Sequence, residues 1–146
     1  MNMLKKQVLV SVTGKSHAED EKPDMVRLLT TGTLTEEKNA WRIDYTETQP
    51  DNQSHDVTVT LNKGVVTMLR HGAYSTSMVF EKGRRFEGSY VTPFGALDMG
   101  VYATQVRYHM TDDSSGEIQL KYQLDLQGQF AAMHELQIKF CPSGKA

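Results

Sequence analysis

The chain has 146 residues, enough for one domain that buries roughly 70% of its unfolded surface and needs no metal or disulfide to make up for a small core. Its 16 basic and 18 acidic residues are scattered, with a formal net charge of -2, and the longest basic pairs are Lys5-Lys6 and Arg84-Arg85, which excludes an electrostatic footprint for duplex nucleic acid. Cys141 is the single cysteine, so no internal disulfide can form, and the apolar run from Val8 to Val12 is too short for a signal-peptide core or a membrane span; the expectation is a soluble cytoplasmic protein.

Period-two alternation runs through the chain, and no window carries a helical stripe. In order, the alternation predicts ten strands, at 4–13, 25–35, 40–48, 55–62, 65–71, 74–81, 85–92, 97–110, 117–127 and 132–140. The first two are joined by the one long connection, Gly14 to Asp24, which is charged, contains Pro23 and reads as a flexible loop or a short lid helix. The remaining links are short turn signals such as Asn62-Lys63-Gly64, His71-Gly72, Lys82-Gly83 and Gln127-Gly128. Links of that length make antiparallel hairpins, because a parallel partner needs a dozen or more connecting residues. A flat meander of ten strands would leave two open edges, and closure removes them, so the predicted fold is all-β: a closed antiparallel up-and-down barrel of about eight to ten strands in a single domain, 1–146.

The stretch from Tyr90 to Thr104 forms a corner. Pro93 pushes Thr92 towards extended geometry and Gly95 admits a φ that other residues avoid, so one strand ends near Thr92 and a longer one begins near Leu97. Along that longer strand the apolar residues start on odd positions (Leu97, Met99, Val101) and finish on even ones (Val106, Tyr108, Met110). A strand cannot exchange faces without an irregularity, which predicts a bulge or sharp coil between Ala103 and Gln105.

Six segments in order carry a family resemblance: Val57 to Gly64, Thr67 to Gly72, Met78 to Gly83, Thr92 to Gly95 with Met99-Gly100-Val101, Leu120 to Leu124, and Glu135 to Ile138. Together they resemble the YwiB-like family, a bacterial domain family of unassigned function related to the calycin barrels that include lipocalins and fatty-acid-binding proteins. The resemblance implies a cytoplasmic calycin-like barrel, of a kind often found in Gram-positive bacteria, and brings no catalytic residues with it. Arg70, Glu81 and Glu135 match the family's recurrent polar positions, whereas Met133-His134 departs from the small polar residue or Asn expected there.

Residue chemistry gives little support to catalysis. His17, His55, His71, His109 and His134 stand at no metal-ligand spacing, no Gly-x-Ser-x-Gly elbow is present, and Cys141 reads as an ordinary thiol near a tail. The informative residues are polar ones on strand faces. Arg70 alternates in phase with Val66 and Met68, Arg107 with Leu97 to Ala103, and Glu135 with Met133, so each is a candidate for the barrel interior. A charge buried there needs a partner, either another side chain or a ligand's acidic group. The sequence reading is therefore a non-enzymatic barrel, with no cofactor, that binds a small amphipathic or acidic ligand. Arg70, Arg107 and Glu135 would orient the ligand, and Tyr90, Tyr102 and Met78 would form the wall. The alternative is a filled barrel acting as a scaffold or interaction module, including as a homodimer.

Overall fold

A computed structural model describes residues 4–18, 22, 24–48, 53–111 and 113–143. The ten strands are β1 (Leu4–His17), β2 (Asp24–Glu37), β3 (Ala40–Thr48), β4 (Ser54–Asn62), β5 (Val65–Gly72), β6 (Ser75–Phe80), β7 (Arg85–Thr92), β8 (Gly95–Met110), β9 (Gly116–Leu126) and β10 (Gln129–Pro142). Each pairs antiparallel with the next, and β1 pairs with β10, so the meander closes into a barrel as the alternation predicts. The tight links follow turn chemistry. Lys63-Gly64 and Gln127-Gly128 both hold two successive positive φ angles, the geometry that matches the right-handed twist of the flanking strands.

The predicted long connection is shorter than expected. Gly14–His17 belong to β1, paired with Leu136–Met133 of β10, and β2 begins at Asp24 opposite Ser16. Residues 19–21 and 23, the centre of the expected loop or lid, lie outside the described residues. The predicted irregularity in β8 is present: the register against β9 shifts between Ala103 and Gln105. A second shift, between Phe130 and Ala132, leaves no comparable mark in the apolar pattern.

The strands divide the wall into a tall part and a short one. β1, β2, β8 and β10 have 14 to 16 residues, whereas β3 to β7 have 6 to 9. Pairing is partial at two places, one of them inside the short part. β2 pairs with β3 only over Gly32–Glu37, and β6 pairs with β7 only over Ser75–Ser77. We call the end with the β2–β3 and β4–β5 turns proximal, and the end with the β5–β6 and β7–β8 turns distal.

Inward residues fill the middle and proximal interior with aliphatic and aromatic bulk. Ile43, Val59, Met68, Phe80, Val101 and Ile138 are essentially inaccessible to water. Each such side chain contributes about 1.5–3 kcal/mol of transfer free energy, which makes this layer the main source of stability. The alternation fixes what lies outside: a one-residue slip would expose the whole apolar set, so the register is strongly specified.

Candidate functional site

Polar residues enter the interior in two adjacent rows at the distal end. In the first, register places Tyr45 beside Val57, Val57 beside Arg70, Arg70 beside Thr76, and Thr76 beside Tyr90. In the second, Glu47 faces His55, and His55 faces Gly72. Period-two geometry points all of these positions to one side of the sheet, the side of Ile43, Val59, Met68 and Met78.

The centre is an ion pair held at two points. Arg70 donates from Nε to Glu47 Oε1 at 3.2 Å and from Nη2 to Oε2 at 3.3 Å, and its Nη1 donates to Thr76 Oγ1 at 3.4 Å. Both side chains are largely buried, 20% and 16% exposed. Burial pulls the guanidinium pKa down, but the Glu47 carboxylate more than reverses this, so Arg70 stays charged. Burial pushes the neighbouring Tyr45 hydroxyl well above its usual range against the pull of Arg70.

His55 completes the cluster. It is 0% exposed, its Nδ1 lies 3.9 Å from Glu47 Oε1, and neither ring nitrogen has a hydrogen-bond partner among the described residues. Its ring meets Tyr74 at 4.2 Å between centroids, and Tyr74 in turn stacks on Tyr90 at 5.7 Å. Gly72 makes the room: a Cβ there would lie 2.5 Å from the Ser54 carbonyl oxygen and 2.6 Å from His55 Cδ2. The His71-Gly72 pair, read from sequence as a turn, is thus the end of a strand that accommodates a buried imidazole.

Across the barrel a second aromatic pair faces inward. Tyr122 on β9 stacks on His134 on β10 at 5.1 Å, nearly parallel, and also meets Phe80 at 4.7 Å. Burial raises the Tyr122 hydroxyl pKa to about 12. Burial lowers that of His134, and the nearby His17 adds to the effect. Among the described residues no group of three or more His, Cys, Asp or Glu could hold a metal ion. No helix there is long and apolar enough to cross a membrane.

The six residues singled out from sequence separate into two sets. Arg70, Tyr90 and Met78 face the interior, Met78 being 6% exposed beneath the polar rows. Arg107, Glu135 and Tyr102 face outwards, contrary to the expectation of a shared interior. Arg107 shares odd parity with Met99 and Val101, but the shift at Ala103/Gln105 puts it on the opposite face, between the inward Val106 and Tyr108. Glu135 lies beside Lys121 at 3.6 Å, both about half exposed. Tyr102 is flanked by the buried Val101 and Ala103 and is 37% exposed. Sequence reasoning missed Glu47 and His55. The signal was faint: both close apolar-alternating strands on their inward parity, Glu47 after Ile43 and Tyr45, His55 before Val57 and Val59.

The chain belongs to the DUF1934 family, a domain of unknown function, whose model matches residues 10–138. The crystal structure of the ywiB protein from Bacillus subtilis is similar to it with a TM-score of 0.84, at 18% sequence identity, over 96% of this chain and 94% of that one. That likeness establishes the ten-stranded barrel as a shared fold. No curated protein matches the chain.

Proposed function

We propose that this member of the DUF1934 family is a non-enzymatic cytoplasmic barrel that binds a small amphipathic or acidic ligand at its distal interior. The observation that carries the reading is His55, fully buried beside the Arg70–Glu47 pair with no hydrogen-bond partner for either ring nitrogen among the described residues. A buried polar group without a partner costs roughly 1–3 kcal/mol, a cost that a ligand hydrogen bond would offset. Among the described residues Glu47 and Thr76 engage three of the five guanidinium N–H groups of Arg70, which leaves two for an acidic head group. Tyr74, Tyr90 and Met78 would take the apolar body.

Native mass spectrometry of the purified protein, repeated after denaturation, tests this. Extra mass that disappears on unfolding, and is not retained by a His55→Phe variant, is the expected result. A bare chain mass at every concentration would overturn it. One observation favours a second reading, a homodimer: Met25, Val26 and Leu29 are 54%, 68% and 75% exposed on the part of β2 that does not pair with β3. A bare doubled mass in the same run would support that reading.

A further inference from the structure

The β1–β2 hairpin stands above the short wall with one side bare. β2 pairs with β1 without a register shift from Leu4–Glu36 to Ser16–Asp24. Its pairing with β3 stops at Gly32–Tyr45. Extending that register sets Thr48, the last residue of β3, opposite Leu29, so Asp24–Leu28 rise past the end of β3. Among the described residues no strand pairs with them on that side.

Soluble proteins blunt such an edge with lysine, proline or a bulge, because its bare N–H and C=O groups are a template for another strand. Asp24–Thr31 contains neither lysine nor proline, and its ladder with β1 carries no bulge. The side chains are equally unguarded. Met25 and Leu29, on the outward parity either side of Arg27, are 54% and 75% exposed, and Val26, on the inward parity of the buried Leu34, is 68% exposed. The only charges on the edge are Asp24 and Arg27, which cancel, so two copies can approach without net repulsion.

We propose that this edge pairs antiparallel with the same edge of a second copy, joining two barrels through a continuous sheet. The inference rests on the homodimer reading given above and supplies its interface. A strand paired antiparallel with its own copy has a two-fold axis at a residue that meets itself, which keeps inward positions opposite inward ones. An axis at Arg27 would oppose two guanidinium groups. An axis at Leu28 would bring the second copy to Thr31, where β3 already sits, since Thr30 Oγ1 donates to the Thr46 carbonyl at 3.4 Å. An axis at Met25 would pair only Asp24–Val26 of the described edge. An axis at Val26 pairs all of Asp24–Leu28, clear of β3. It sets Val26 on its copy, Leu28 opposite Asp24, and Met25 opposite Arg27, whose aliphatic stem covers the thioether. Leu29 then lies diagonal to Met25 of the second copy, so Met25 and Leu29 of both copies become one cluster. This fit of the strand to itself selects a second copy over an unrelated peptide.

Sedimentation velocity of the intact chain across the micromolar range, with amide hydrogen exchange on the same samples, tests this. A concentration-dependent dimer is expected, with slower exchange over 24–28 in the dimer. Met25→Lys places a lysine opposite Arg27 twice, by symmetry, and should raise the dimer dissociation constant about tenfold; adding Arg27→Glu turns both contacts into ion pairs and should restore it. Leu69→Lys puts the same charge on the exposed outer side of β5 and should leave the dimer unchanged. A dimer that withstands Met25→Lys, that Arg27→Glu does not rescue, or that weakens equally with Leu69→Lys would overturn this interface and leave the homodimer reading standing. A monomer at every concentration would overturn both.

Discussion

The two ends of the barrel interior solve the same packing problem with different chemistry. Proximally, Leu61, Val66 and Phe80 meet with no polar atom to satisfy, and each is 0% exposed. Distally, the same strands continue inward with His55, Arg70 and Thr76, joined by Glu47 of β3, and these must hydrogen-bond, pair or remain unsatisfied. The first arrangement is the cheaper way to stabilise a barrel, since a buried ion pair rarely exceeds well-packed apolar residues of similar volume. A barrel that keeps the costlier arrangement at one end only has an interior with a direction, dry below and polar above.

The comparison breaks most sharply at Phe80. Phe80→Ala removes the ring that touches Tyr122 and should lower unfolding free energy by about 4 kcal/mol in denaturant titration, with no compensating substitution nearby. Arg70→Met at the distal end should cost about 3 kcal/mol, because it leaves the Glu47 carboxylate without its guanidinium. Adding Glu47→Gln should recover most of that loss. If the double variant were no more stable than Arg70→Met alone, the two ends would not differ in the way described.

The smallest effect is on pH dependence. Because His134 has a lowered pKa in the folded state, the unfolded chain binds its proton more readily around the ordinary value of 6.5. Stability should therefore fall as pH drops through 6.5 and level off below the folded pKa. His134→Gln should flatten that part of the melting-temperature profile, and an unchanged profile would place the sensitivity elsewhere.

Much of the interior was legible from alternation. Val57, Val59 and Leu61 face inward with Ile118, Leu120 and Tyr122, as their spacing requires, and Arg70 follows Met68 into the core. The bulge was legible too, since the apolar parity of β8 reverses across it. Its consequence for Arg107 required the register: a residue after a bulge keeps its number's parity and loses its face. Glu47 and His55 were invisible as a pair because nothing in a hairpin's sequence says that two polar ends will be buried together.

By itself the sequence determined the strands, their antiparallel order and the closed barrel, because those follow from local period, turn chemistry and the cost of open edges. Only the tertiary structure decided which charges meet. Arg70 reaches Glu47 across β4, and Lys15, Lys121 and Arg107 share one outer face across β1, β10, β9 and β8. Contacts of that kind depend on register summed over several strand pairs, and one shifted residue reassigns every side chain beyond it.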